Sequence, residues 1–301
     1  MIIVITGPTC VGKTKLSIEL SKRLNGEIIN ADSTQIYRNL DIATAKIKEE
    51  EKENIPHHLF DIKSITEDYT VFDYQKDARN KIDDIVKRQK TPILVGGTGL
   101  YIKAALYDYK FDVRDKLNYD NLTNEQLYDK VIKLDPNNKI HINNRKRLEN
   151  ALNYMELNHT AFSEKEKTDR LLYDTLFIGL TTDRKILYER INNRVYKMID
   201  EGLIDEAKKI FDSNVRTKAV MTPIGYKELF PYFEGNADLN ECISTIQKNS
   251  RHYAKRQYTW FKHQMDIKWF EVDFDNFDNT VNLVLDYICY SQKFLNKKDI
   301  V

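Results

Sequence analysis

The sequence predicts an α/β fold: a parallel sheet with helices on both faces and a helical insertion. Short β-branched runs recur before glycines or turns and alternate with helical patterns of one apolar face. The first run passes through a glycine-rich loop into a helix, in the strand–loop–helix order of a P-loop. From about 111 to 170 the β-branched runs vanish, Asn, Lys and Asp dominate, and the readable segments are helical.

Ile2 to Ile5 reads as a buried strand bounded by Gly7-Pro8, and Lys13 to Leu24 as a helix whose Leu16, Leu20 and Leu24 share a face. Gly26 is expected to end that helix as its left-handed C′ residue. Glu27 to Ala31 is a second strand, Pro56-His57-His58 lies in an irregular stretch, and a long helix runs from about Val71 to Gln89. Pro92 to Val95 is a strand closing on Gly96-Gly97-Thr98-Gly99. This order implies right-handed crossovers and a parallel sheet. In the insertion, Glu125 to Leu134 and Asn144 to Glu156 read as helices. Tyr173 to Leu180 restores a strand, followed by helices over Asp183 to Glu201, Leu203 to Phe211 and Leu239 to Lys262. Trp269 to Val272 and Thr280 to Leu295 supply the last strand and helix. The expected organisation is a catalytic core over 1–110 and 171–301 and an insertion over 111–170.

Composition narrows the function. With 47 basic and 46 acidic residues the net charge is +1, so a nucleic-acid partner needs a local basic surface. Cys10, Cys242 and Cys289 are too few and too scattered for a disulfide framework or a cysteine-rich zinc site. No apolar run approaches a membrane span, and Met1 to Ile5 is too short for a signal peptide. A soluble, cytoplasmic protein is expected, with no membrane and no protein partner implied.

Gly7-Pro8-Thr9-Cys10-Val11-Gly12-Lys13-Thr14 matches the P-loop pattern in full. Its glycines let backbone N–H groups converge on phosphate oxygens, and the helix N-terminus adds partial positive charge. Lys13 supplies a mobile cation, and the Thr14 hydroxyl can ligate Mg²⁺ or touch a phosphate. The motif points to phosphate and not in itself to ATP, since an ordinary P-loop ATPase places an acid at the end of a later strand. Here the Ile93–Val95 strand ends in glycines, and the carboxylate at a core strand end is Asp32. Asp32 can bind metal, act as a general base or cap a helix; Ser33, Gln35 and Tyr37 make the surrounding segment polar. Arg190 and Arg194 share a helical face and either cover the phosphate or pair with Glu189 and Glu201.

Between Glu241 and Asp266 no acidic residue occurs, while Lys248, Arg251, Lys255 and Lys262 fall on one helical stripe, with Arg256 beside it. Tyr253, Tyr258, Trp260 and Phe261 interleave, a combination that suits a nucleic-acid backbone; the alternative is a solvated helix face with core aromatics. Asn144-Arg145-Lys146-Arg147 points the same way.

These segments occur in the order of one family. The P-loop, Asp32-Ser33-Thr34-Gln35-Ile36-Tyr37, Asp41-Ile42-Ala43-Thr44-Ala45-Lys46, Pro56-His57-His58, Val95 to Tyr101, Ile224-Gly225-Tyr226-Lys227-Glu228 and Ala254-Lys255-Arg256-Gln257 resemble the tRNA dimethylallyltransferases over nearly the whole chain. The absence of the zinc finger that some eukaryotic relatives append suits a bacterial type. The resemblance implies transfer of a dimethylallyl group from dimethylallyl diphosphate to N6 of adenosine 37 in tRNA, with Mg²⁺ as cofactor. It implies Asp32 as general base, with Thr14 and Arg194 beside it in catalysis. Gly7, Thr9, Gly12, Lys13, Thr14 and Arg190 would bind the diphosphate. Ser33, Thr34, Gln35 and Thr98 would surround the flipped adenine, and Lys146, Arg147, Arg251, Lys255 and Arg256 would grip the anticodon arm. Cys10 stands where a small residue is usual, and Asn150 where some relatives carry a basic one. The rival readings are a P-loop nucleotide or metabolite kinase, a nucleotide-switched RNA-binding protein, and a prenyltransferase for free AMP.

Overall fold

The computed structural model describes residues 1–111, 117–164 and 170–298. Its chain divides into two compact units, Met1–Tyr107 with Leu171–Val301, and Asp108–Arg170. Within the insertion expected over 111–170, residues 112–116 and 165–169 lie outside the described residues.

The larger unit is built on six strands, β1 (Ile2–Thr6), β2 (Gly26–Asn30), β3 (His57–His58), β4 (Thr91–Val95), β5 (Thr175–Thr181) and β6 (Lys268–Glu271). They pair in the order β3-β2-β4-β1-β5-β6, every pair parallel. The helices are α1 (Lys13–Leu24), α2 (Val71–Lys87), α3 (Gly99–Leu106), then α4 (Asn124–Leu134) and α5 (Arg145–Asn158) in the smaller unit. The larger unit continues with α6 (Arg184–Asp200), α7 (Leu203–Asp212), α8 (Lys218–Met221), α9 (Phe230–Phe233), α10 (Leu239–Gln264) and α11 (Phe277–Lys298).

Strand alternation sends side chains to opposite faces and makes two cores. Ile2 and Val4 join Tyr74, Ala78, Ile82 and Ile85 of α2 on one face. Ile3 and Ile5 join Leu16 and Leu20 of α1 and Val281, Val284 and Ile288 of α11 on the other. Both faces of the sheet are therefore covered, which is what a parallel sheet of continuous apolar strands requires. Among the described residues no helix is long and apolar enough to cross a membrane.

Some boundaries depart from the expected ones. Asn25 takes the left-handed conformation after α1, at φ 48°, in place of Gly26, which instead begins β2 opposite Thr91. The short polar side chain of Asn tolerates that conformation. His57 and His58 form an edge strand within the stretch expected to be irregular, and Gly99 to Leu106 forms a helix directly after the glycine loop.

The smaller unit has its own core of Leu127, Val131, Ile140, Leu148, Ala151, Leu152 and Met155 between α4 and α5. Thr123 begins α4 with a capping box, its hydroxyl accepting from Gln126 N–H while the Gln126 side chain accepts from Thr123 N–H. Arg145 is tied to the carbonyls of Leu122 and Tyr119 and to Glu149, whereas Lys146 and Arg147 are exposed.

Candidate functional site

Register places the site. In the parallel ladders Ile5 lies level with Val95, and Val95 level with Asn30, so β1, β4 and β2 end side by side. Strands are spaced about 4.8 Å apart, so the loop after β1 and the residues after β2 are separated by about 10 Å, with the loop after β4 between them. Thr9–Thr14, Gly96–Gly99 and Asp32–Gln35 consequently line one cavity of about 1310 Å³.

The P-loop has the geometry its sequence implies. Gly7 and Gly12 adopt φ of 134° and 91°, which a side chain would strain. Lys13 folds over the loop and donates from Nζ to the carbonyls of Gly7 at 3.0 Å and Pro8 at 2.7 Å. Burial pushes its amine down from 10.5 to about 8; Asp32 opposes the shift and Arg194 adds to it. Thr14 is exposed and lines the cavity.

Arg190 and Arg194 both reach the loop. Arg194 donates from Nη1 to Thr9 Oγ1 at 3.0 Å, and Arg190 from Nε to the Cys10 carbonyl at 3.0 Å while stacking 3.8 Å from the Phe274 ring centre. Glu201, offered by the sequence as a surface partner, pairs instead with Lys48 and Lys197.

Asp32 does not cap a helix. Its Oδ1 accepts from Thr34 N–H at 3.0 Å and Thr34 Oγ1 at 2.7 Å, and Asn30 Oδ1 accepts its own N–H at 2.8 Å. This local turn fixes the carboxylate at the cavity wall, with Oδ2 on the side of Gly97. Ser33 N–H donates to Thr98 Oγ1 at 3.0 Å, and Thr98 Oγ1 donates to Ser33 Oγ at 3.2 Å. Gln35 Nε2 donates to the carbonyls of Thr44 and Ala45.

The Asp41–Lys46 segment forms another wall. Glu206 of α7 accepts the backbone N–H groups of Asp41, Ile42 and Ala43, and the Tyr226 hydroxyl donates to its Oε1 at 2.7 Å. Lys46 ties the far end to the Tyr37 carbonyl, Asp41 and Asp61. Glu206 had no signal in the sequence beyond its place on an amphipathic helix.

The basic helix α10 differs from the expected arrangement. Phe261 is buried, Tyr253 and Trp260 line the cavity, and Tyr258 hydrogen-bonds to Thr181, so these aromatics face inward. Lys248, Lys255, Arg256 and Lys262 are exposed, and Arg256 also lines the cavity. Arg251 is engaged with its own protein: Nη1 donates to Asn192 Oδ1 at 2.6 Å, and its guanidinium lies 5.9 Å from the Tyr188 ring centre.

Among the described residues no group of three His, Cys, Asp or Glu side chains is placed to hold a metal ion. Magnesium usually keeps several waters and takes most of its remaining ligands from substrate phosphates. A Thr14 hydroxyl at the mouth of a phosphate loop fits that mode, and a protein cage does not.

Comparison with known proteins matches residues 35–264 to the family model described as IPP transferase. The P-loop and Asp32 lie before that span, and the first solved structure named below covers 100% of this chain and so includes them. The chain is 47% identical to a tRNA dimethylallyltransferase of Anoxybacillus flavithermus, over 95% of this chain and 96% of the relative. It is 48% identical to one from Bacillus licheniformis, over 90% of each. Among solved structures it is similar to a tRNA isopentenylpyrophosphate transferase from Bacillus halodurans, with TM-score 0.77, 41% identity and coverage of 100% and 99%. It also resembles a eukaryotic dimethylallyltransferase acting on tRNA, with TM-score 0.83, 31% identity and coverage of 98% and 79%.

Proposed function

The chain belongs to the IPP transferase family, and from that membership we propose that it transfers the dimethylallyl group of dimethylallyl diphosphate to N6 of adenosine 37 in tRNA, releasing diphosphate. The carrying observation is that one cavity is lined both by Asp32 and by the P-loop residues Thr9–Thr14, with a β4 end that bears glycines and no acid between them. That arrangement suits an anionic leaving group and a proton acceptor better than ATP hydrolysis. The kinase alternative is not favoured, since relatives matched over nine tenths of the chain and more are dimethylallyltransferases.

The N6 amine is a poor nucleophile because its lone pair is delocalised into the ring. As N6 bonds to the allylic carbon, the carbon–oxygen bond to diphosphate breaks and N6 gains positive charge. Asp32 takes the proton that N6 must lose. Charge building on the diphosphate is met by Lys13, Arg194 and the backbone N–H groups from Gly7 to Thr14, with Thr9, Gly12 and Arg190 shaping that cradle. Thr14 is the residue that would hold Mg²⁺, which would supply positive charge to offset part of the leaving charge. The adenine must leave its stack to enter, and Ser33, Thr34, Gln35 and Thr98 border the place where it would sit. Lys255 and Arg256 on α10, and Lys146 and Arg147 on α5, are exposed cations suited to the anticodon arm. Arg251 would act there through its hold on α6. A tRNA substrate suits a cytoplasmic location.

The test is incubation with labelled dimethylallyl diphosphate and bulk tRNA, followed by nucleoside analysis. Label in N6-dimethylallyladenosine at position 37 is the expected result. Phosphoryl transfer from ATP with no prenylated nucleoside would refute the reading.

A further inference from the structure

Gln257 is a buried polar residue on an otherwise basic helix. Its neighbours on the inward face of α10, Ala254 and Phe261, are fully buried core residues, and Gln257 itself is 5% exposed. Burying an amide without partners is costly, so its two ends must each find one. Oε1 accepts the Thr9 backbone N–H at 3.0 Å, and Nε2 donates to the Gly97 carbonyl at 3.2 Å. These two partners fix the amide orientation, because an N–H needs an acceptor and a carbonyl a donor. Thr9 belongs to the loop facing the diphosphate, and Gly97 to the loop beside Asp32 and Thr98. Tyr253, one turn earlier on α10, lines the same cavity as Thr98 and Gln257.

The glycines of the β4 loop are shaped to this contact. A Cβ on Gly97 would come within 2.0 Å of Gln257 Nε2, and one on Gly99 within 2.1 Å of the Trp260 ring. Helix α10 thus presses directly against the loop that borders the acceptor, through two side chains three residues apart.

We infer that Gln257 is a positioning residue for the transfer, a strut that sets the separation between the donor loop and the acceptor loop and hence between the allylic carbon and N6. The inference rests on the prenyl-transfer reading above. Both of its hydrogen bonds go to protein backbone, so Gln257 aligns the two substrates without itself binding either. A misplacement of about 1 Å between reacting groups can cost about 100-fold in rate.

The experiment compares Gln257→Met with the unaltered protein in single-turnover transfer, alongside the affinity for a non-reactive thio analogue of the donor and for an anticodon stem-loop. The expected result is a rate lower by about 10- to 100-fold with both affinities within about threefold. A rate within about threefold of the unaltered protein, or a loss confined to affinity, would overturn the assignment. Should Gln257→Met lack a cooperative thermal transition, Gln257→Glu replaces it: it keeps the length and the Thr9 contact but cannot donate to Gly97, and the same rate loss is expected. A second readout is the pair Gly97→Ala and Gln257→Ala. The alanine at 97 is expected to slow transfer beside Gln257, and to add less than about threefold once the amide is gone. Fully multiplicative losses would overturn the assignment. If the unaltered protein makes no prenylated adenosine, the underlying reading fails; if it does and the Gln257 variants match it, only the strut fails.

Discussion

Arg194 on α6 donates a 3.0 Å hydrogen bond to Thr9 Oγ1, joining two residues 185 positions apart at the rim of the P-loop. With Arg190 on the Cys10 carbonyl, α6 holds the loop at consecutive positions and brings two guanidinium groups to the place where diphosphate charge would develop. A guanidinium supplies a planar fork for phosphate oxygens that an ammonium lacks.

Arg194→Ala is accordingly expected to lower kcat/KM for the donor by about 2 kcal/mol, the scale of a hydrogen bond to a charged group. Arg194→Lys should recover only part of this. Arg190→Ala should cost less, because its side chain is also held by Phe274. Steady-state kinetics with varied donor and saturating tRNA checks the ranking.

Lys13 is expected to make donor binding depend on pH. Burial lowers its amine to about 8 in the free protein, below the ordinary 10.5. With a fully ionised donor, affinity should hold steady up to that pH and weaken as pH rises through it, since the anion needs the protonated amine. The sign for folding is opposite. The unfolded chain holds this proton more tightly, so the burial penalty is present below about 8 and is relieved as pH rises towards 10.5. Titrating a donor analogue from about pH 7 to about pH 9.5 should show the inflection, and Lys13→Arg should remove it because a guanidinium stays charged.

Local signals made much of this site legible, and distant partners made the rest invisible. Helix α1 begins and ends at the residues its leucine spacing indicates, and the P-loop, Asp32 and Thr98 follow directly from strand ends. Gln257 sits within a recognisable motif, but its role is hidden in the sequence because its partners lie 248 and 160 residues away. Its place among apolar helix neighbours was the available signal. Glu206 is similar: three backbone N–H groups of a loop about 160 positions earlier define its role. The sequence leaves two readings open for the aromatic residues of α10 for a related reason, since their inward direction depends on which face of the helix the rest of the protein covers.

The exposed cations of α10 should make tRNA binding salt-dependent despite the near-zero net charge. Each phosphate contact removed should flatten the slope of log K against log salt by about one. Lys255→Ala and Arg256→Ala should therefore weaken tRNA binding and reduce the slope by about two together, leaving donor affinity unchanged. Arg251→Ala should also lower thermal stability, because it removes the contact to Asn192. Filter binding over a salt series, with melting curves for each variant, separates these effects.

Asp32→Asn tests the proton acceptor. The carboxylate is held by Thr34 through Oδ1, at a strand end level with the P-loop strand. Asparagine has nearly the same shape, and its side-chain oxygen can accept from Thr34 as the carboxylate does, so the turn should survive. What it lacks is basicity. Removing a general base typically costs about 100- to 10,000-fold in rate, and Asp32→Asn should approach Asp32→Ala in single-turnover transfer at saturating tRNA and donor. Affinity for tRNA should persist in both variants, because the exposed cations proposed to meet the tRNA backbone are untouched. Thr14→Ala makes the contrast: its loss should appear partly in donor affinity, since Thr14 lines the cavity at the proposed diphosphate loop. If Asp32→Asn retained most of the rate while Asp32→Ala did not, Asp32 would serve to shape the turn at Thr34, and the N6 proton would leave by another route.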